Sequence, residues 1–209
     1  MSVVEKLQWR YATKKFDTSK KVSADDMQEL LECVRLSPSS YGLQPWKFII
    51  VEDPETRATL RAAAYDQPQV TDASFLVVVC AKSDMDDAYV ERYTRAIEET
   101  QGLEVGKLAE LEQSMKESVN GKDLVSRKSW MARQAYLALG VLVTSCAVKD
   151  IDACPMEGFD KGKFDEILEL DKLGVNSYAL CAVGYRAEDD RAATRKKVRW
   201  SMDEVIVRR

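Results

Sequence analysis

Apolar residues at Met27, Leu30, Leu31 and Val34 fall on one helical stripe. Ser23 and Asp26 stand before it as a capping box and Pro38 ends it, so the spacing predicts a helix over 24–36. A polar loop follows, then the short apolar run Lys47-Phe48-Ile49-Ile50-Val51, which reads as a strand. Asp53-Pro54 supplies a cap and a first-turn proline for a helix to about Ala64. Phe75 through Ala81 is continuously apolar, the signature of a strand covered on both faces. From about 85 to 120 the chain is charged and helix-prone, interrupted at Gly102 and Gly106, with a thin apolar stripe of Leu103, Val105, Leu108, Leu111 and Met115. That stretch predicts an exposed helical excursion, or a lid.

Lys128 to Val148 is apolar nearly all round, which predicts a central, buried helix. Asp152–Met156 and Ser177–Tyr185 provide the remaining strands, with a helix near 160–170 between them. Strands and helices intermix, so the fold class is α+β, a sheet packed between helices. Neither a repeat nor a linker divides the 209 residues, and 1–209 reads as a single domain carrying the excursion.

Charge and composition narrow the chemistry. Lys and Arg total 31 against 35 Asp and Glu, a net charge of -4, which argues against nucleic acid as a partner and requires any bound phosphate to be held by a local basic cluster. The chain contains no histidine, which removes the usual base of hydrolytic triads and the commonest metal ligand; no metal is expected. No run of about 18 apolar residues and no basic-then-apolar start occurs, so the expectation is a cytoplasmic protein without a membrane partner. Cys33, Cys80, Cys146, Cys154 and Cys181 are an odd, scattered set in apolar surroundings and read as buried free thiols.

Four clusters carry chemistry. Arg10 and Lys14, within Arg10-Tyr11-Ala12-Thr13-Lys14-Lys15-Phe16, place a guanidinium and an ammonium where they can bind a phosphate or an electron-rich ring edge. Ser37 to Trp46 offers hydroxyls, an amide and aromatics on a backbone stiffened by proline, suited to the edge of a planar heterocycle. Pro155-Met156-Glu157-Gly158-Phe159-Asp160 turns from strand to helix, and its N–H groups can donate to a ring nitrogen or oxygen. Arg195-Lys196-Lys197-Val198-Arg199 is a basic run able to complete a phosphate site. Taken singly, each also fits an ordinary solvated face or turn.

In this order, and with Asp72-Ala73-Ser74 leading into Phe75–Ala81, the clusters resemble the FMN-dependent nitroreductase family, particularly oxygen-insensitive NAD(P)H nitroreductases and related dihydropteridine reductases. The resemblance covers most of the chain and implies a nitroreductase-like fold: a central, mostly antiparallel sheet flanked by helices, in an intertwined homodimer with FMN at the subunit interface. It implies that Arg10, Lys197 and Arg199 hold the FMN phosphate, with the backbone of Tyr11 and Ala12 alongside, and that Lys14 lies near the flavin N1/O2 edge. Pro38, Ser39, Ser40 and Gln44 would reach FMN from the partner subunit. Pro155, Met156, Glu157 and Gly158 would form the wall by N5 and O4, the backbone of Glu157 and Gly158 facing those atoms, and Tyr41 would stack on an aromatic substrate.

Some relatives carry asparagine and lysine where this chain has Asp66 and Gln69. The carboxylate, and the missing cation, imply a lower flavin potential, with Gln69 as a donor to the pyrimidine edge. The implied activity is an oxidoreductase with non-covalent FMN, reduced by NADH or NADPH, that passes electrons to a nitroaromatic, quinone or similar small acceptor in a ping-pong cycle. The chemistry belongs to flavin N5, and no catalytic side chain is required. Enone or pteridine reduction, dehalogenation, and a flavin-binding protein without turnover are the alternatives.

Overall fold

The computed structural model describes residues 2–209. Its centre is one sheet of four strands, β1 (Trp46–Val51), β2 (Phe75–Lys82), β3 (Asp152–Met156) and β4 (Val175–Gly184), in the order β1-β2-β4-β3. All three pairings are antiparallel, with Ile49 opposite Val78, Val78 opposite Leu180 and Cys154 opposite Ala182. Every residue from Phe75 to Ala81 is buried, as expected of a strand covered on both faces.

The helices are α1 (Val3–Trp9), α2 (Ala24–Arg35), α3 (Pro54–Ala63), α4 (Gln69–Asp72), α5 (Asp87–Gln101), α6 (Ala109–Asn120), α7 (Leu124–Val148), α8 (Lys161–Ile167) and α9 (Met202–Val205). One core layer packs α2 and α7 on the sheet through Leu30, Val77, Met131 and Leu142; the other packs α3 and α8 on the opposite face through Leu60, Val78 and Phe164.

Local signals place most of these elements. Ser23 caps α2 by accepting the Asp26 N–H at 3.1 Å, but the box is only half made. The Asp26 carboxylate instead accepts the Ser23 hydroxyl and pairs with Lys149. Asp53 caps α3 at the Thr56 N–H, with Pro54 in the first turn. Gly102 ends α5 in the left-handed region at φ 66°, and Gly106 at φ 85° turns the chain toward α6. Of the apolar stripe expected in this excursion Met115 is buried, whereas Val105 is 89% exposed. Val90, Thr94, Glu98 and Val119 complete the packed side of the helix pair.

Two features depart from the expected pattern. The helix α1 has no counterpart in the apolar pattern; its seven residues carry a full capping box between Ser2 and Glu5, and Lys6 pairs with Asp150 at 2.5 Å. The long helix α7 begins one turn earlier than expected, capped by Asp123, and is not buried all round. Trp130, Met131, Ala135, Ala138, Leu142 and Cys146 face the protein interior, while Leu137 and Val148 stay about half exposed, at 49% and 50%. Finally, α7 is long and apolar enough by length and composition to cross a membrane, although its run is broken by charges at its start. Its apolar interior face is spent on the sheet and on α2. All five cysteines are free and four are buried, Cys33 being only partly covered. Burial pushes the Cys80 and Cys146 thiols up to about 12, which keeps them protonated and unreactive.

Candidate functional site

The segment after α1 is stitched to both the end of the sheet and the chain beyond β4. Ala12 bridges Ala153 in parallel and Phe16 bridges Arg186, while the Asp17 N–H donates to the Tyr185 carbonyl at 2.8 Å. Because the Ala12 bridge is parallel, residues 12–14 run alongside β3 toward its end, where Glu157 and Gly158 leave the strand. Two buried carboxylates fix this arrangement. Asp152 accepts from the Thr13 hydroxyl at 3.3 Å, the Arg186 N–H at 2.9 Å and the Arg186 Nε at 2.8 Å. The same guanidinium lies over the rings of Trp9, at 4.1 Å, and Tyr11, at 4.6 Å.

Asp190 accepts from the Tyr11 hydroxyl and the Lys14 N–H, both at 2.9 Å, and from the Lys15 N–H at 3.2 Å. Burial pushes its carboxyl up, but the N–H groups of Ala192, Lys14 and Lys15 with the Tyr11 hydroxyl outweigh burial and hold it below the usual carboxylate range. Burial, then the hydrogen bond to Asp190, raises the Tyr11 phenol. Sequence reasoning passed over Asp152, Arg186 and Asp190, most of whose partners are distant in the chain: Tyr11 lies 179 positions from Asp190 and Arg186 34 from Asp152.

Beside this frame lies a cavity of about 330 Å³ whose charged lining is Arg10, Arg195, Lys196, Lys197 and Arg199, with no carboxylate in the wall. The Lys197 ammonium donates to the carbonyls of Leu7, at 2.6 Å, and Arg10, anchoring the C-terminal arm against the end of α1. Burial, then the Arg199 charge, lowers the Arg10 guanidinium. Burial, then Arg10 and Arg199, lowers the Lys197 ammonium. A group of cations that disfavour one another's charge and have no acid beside them is arranged for an anion. The structure thus brings Arg10, Tyr11, Ala12, Lys197 and Arg199 together. Lys14 is exposed on the same segment, directed by Asp190.

Glu157 and Gly158 are exposed, and their N–H groups meet no acceptor among the described residues. The Gly158 carbonyl accepts from Gln67 Nε2 at 2.6 Å, a contact the sequence did not suggest. Pro155 and Met156 belong to β3, and Met156 is buried; with Glu157 they line an apolar cavity of about 430 Å³ against Tyr136, Leu139, Gly140 and Val143 of α7. Asp66 is exposed at φ 54°, its N–H given to the Arg61 carbonyl at 3.1 Å. Gln69 is buried and its Oε1 has no hydrogen-bond partner among the described residues. The α4 turn carrying Gln69 is clamped by the buried Arg57 guanidinium, which donates to the carbonyls of Val70, Ser74 and Ala73.

The Pro38–Gln44 loop stands apart: within one chain neither a hydrogen bond nor a common cavity joins it to Arg10 or Lys197. It is held by its own neighbours. The Ser40 N–H donates to Gln134 Oε1 at 2.8 Å and the Gln44 N–H to Ser39 Oγ at 3.0 Å. Tyr41 and Gln44 sit in the left-handed region at φ 56° and 48°, and Gly42 at 74°. A Cβ on Gly42 would stand 2.0 Å from the Tyr93 hydroxyl, so the close approach of α5 requires glycine. Tyr65 and Asp66, on the separate α3–α4 turn, also adopt positive φ, both at 54°.

The chain is 36% identical, over 94% of its own length and 94% of the relative's, to the Bacillus subtilis protein named "Putative NAD(P)H nitroreductase YfkO". Among solved structures, Bacillus subtilis ydfN, named a "putative nitroreductase", superposes with a TM-score of 0.88 at 20% identity, covering 99% of this chain and 98% of that one. A chain from Exiguobacterium sibiricum, similarly named and solved in complex with FMN, superposes with a TM-score of 0.84 at 22% identity, covering 100% of this chain and 98% of its own. The profile of the nitroreductase family matches residues 7–185, and the chain belongs to that family.

Proposed function

We propose that the protein is a cytoplasmic, FMN-dependent NAD(P)H oxidoreductase, working as a single 1–209 domain in an intertwined homodimer and reducing nitroaromatics, quinones or similar small acceptors. The observation that carries this reading is the all-cationic cavity at Arg10, Lys197 and Arg199, on the segment that runs along β3 to the free N–H groups of Glu157 and Gly158. FMN fits these residues: its phosphate meets cations without a competing acid, and its ring N3–H, a donor, matches the unpartnered Gln69 Oε1. Bound there, FMN supplies a two-electron carrier that accepts a hydride from NADH or NADPH and passes it to the acceptor.

The chain's own residues bind, orient and polarise. Arg10, Lys197 and Arg199 hold the phosphate, with Tyr11 and Ala12 at the cavity wall. The Glu157 and Gly158 N–H groups, in place before any ligand arrives, orient the hydride-accepting edge at no reorganisation cost. Lys14, its backbone fixed by Asp190, sets a positive charge where negative charge accumulates on reduction. Asp66 stands opposite in sign on the α3–α4 turn.

Uncovered apolar surface supports the second copy. Leu137, Gly140, Val141, Thr144 and Val148 recur at helical spacing on the face of α7 that no other element buries, and Val198, Trp200, Met202, Val205, Ile206 and Val207 project from the C-terminal arm. A partner packed on α7 and wrapped by this arm brings its Pro38, Ser39, Ser40, Gln44 and Tyr41 to the cofactor that this chain holds.

An anaerobic visible spectrum, taken before and after NADH and separately NADPH, tests the function. Flavin absorbance that bleaches with either nucleotide is the expected result; a bound flavin that neither bleaches, or no flavin after reconstitution with FMN, would defeat it. Replacing Lys14 with Ala should lower the flavin midpoint potential. The loss of one nearby charge, on the order of 1.4 kcal/mol, is about 30 mV for a two-electron couple. An unaltered potential in a variant that retains FMN would remove Lys14 from the flavin edge.

A further inference from the structure

Between the Leu43–Trp46 segment and the first turns of α5 lies a separate cavity of about 370 Å³, with Gln44, Trp46, Tyr89, Arg92 and Tyr93 in its wall. The Tyr89 hydroxyl donates to the carbonyls of Leu43, at 2.9 Å, and Gln44, at 3.0 Å, which fixes its ring. Over that ring stand two cations, the Lys82 ammonium at 4.7 Å from the centroid and the Arg92 guanidinium at 4.9 Å.

Neither cation is ion-paired among the described residues, although the neighbouring chain is acidic. Each nearby carboxylate has another partner: Asp84 takes Arg127 at 2.6 Å, Asp86 caps α5 at the Tyr89 N–H, Asp87 accepts from Asn120, and Glu91 holds Lys116 at 2.7 Å. Burial, followed by the Arg92 charge, lowers the Lys82 ammonium. By contrast, Lys116 on α6 is paired with both Glu91 and Glu112. Here two are left bare beside flat aromatic walls.

We propose that this cavity is a specificity subsite that binds the anionic substituent, a carboxylate or sulfonate, of an aromatic acceptor. The inference rests on the oxidoreductase reading above and names the acceptor's chemical class. Arg92 supplies the fork that grips two oxygens, stacking on Tyr89 holds it ready, and Trp46 and Tyr93 pack the ring. Gln44, which shares this wall, belongs to the loop assigned to the partner's cofactor, so the subsite opens toward the place where the acceptor is reduced.

The test compares 4-nitrobenzoate with its neutral analogue 4-nitrobenzyl alcohol in the wild type, Arg92→Gln and Arg95→Gln. Arg95 lies on the same helix but lines the neighbouring α5–α6 cavity. The ratio of kcat/KM for the acid to that for the alcohol should fall about tenfold in Arg92→Gln and hold in Arg95→Gln. Calorimetric binding of benzoate to the protein as purified needs no turnover and should weaken in parallel. If NAD(P)H fails to bleach the flavin, the oxidoreductase reading is lost, and Arg92-dependent benzoate binding still decides the subsite. A neutral acceptor turned over normally, with the ratio and benzoate affinity unmoved by Arg92→Gln, would overturn the inference. So would a change confined to the preference for NADPH over NADH, since the cavity would then read the donor's phosphate.

Discussion

Replacing Asp190 with Ala is expected to cost roughly 3 kcal/mol of folding stability, seen as a lower urea midpoint, and to weaken FMN retention as well. The buried carboxylate gathers the Tyr11 hydroxyl and the N–H groups of Lys14, Lys15 and Ala192, so truncation leaves four donors without an acceptor. Stranded donors cost more than the hydrogen bonds were worth, which puts this change above an ordinary surface substitution. The effect has a pH signature. Asp190 is held below the usual carboxylate range when folded, so its contribution is fully present above the unfolded value of about 3.9 and disappears as pH falls through the folded value. Wild type and Asp190→Ala should therefore converge in stability on acidification below about pH 4. A gap that persists to the most acid pH at which the protein folds would mean that the charge is not what holds the segment.

Asp190 also shows where sequence reading stops. Elements set by neighbours in the chain are legible: the Ser23 and Asp53 caps, the Gly102 and Gly106 breaks, and the apolar run of β2 are interactions within a few residues, and the structure keeps them. The helix α1 escapes because seven residues held by a capping box and a Lys6–Asp150 pair make no apolar stripe. The sequence of α7 is apolar on nearly every side but does not show that its own chain covers only part of it; Leu137 and Val148 stay about half exposed.

The candidate site divides the same way. Arg10 and Lys197 lie 187 positions apart, and composition alone leaves each a solvated surface charge; only the family resemblance joins them before the fold does. Asp152, Arg186 and Asp190, which fix the segment that follows Arg10, are invisible for a related reason. A buried carboxylate collecting N–H groups has no spacing rule, since its partners come from wherever the sheet topology brings the chain. Gln69 is legible as a candidate site residue, but its burial and its unpartnered Oε1 are supplied only by the fold.

Arg199→Ala should weaken FMN retention by roughly 1.5–3 kcal/mol, a loss of about 10- to 150-fold in affinity, while leaving the fold intact. The two parts have separate grounds. Arg199 is exposed on the C-terminal arm, and its hydrogen bond in the free chain is to the neighbouring Val198 carbonyl, so little packing is lost with it. Its value lies in the charge-assisted bond to a phosphate and in the field of the cavity. Against that stands relief of repulsion, because Arg199 lowers both Arg10 and Lys197. Relief favours the variant only while no anion is bound; a phosphate reverses the sign and makes the cations mutually supporting, so the bond should prevail. Fluorescence titration of deflavinated protein with FMN, at low and at high salt, gives the affinity directly, and the gap between wild type and Arg199→Ala should narrow as salt screens the exposed charge. Arg191→Ala, outside the cavity on the same arm, should stay within about twofold of wild type, since a screened charge off the wall contributes little. Equal affinity for Arg199→Ala and wild type at low salt would take Arg199 out of the phosphate site and leave Arg10 and Lys197 to hold it.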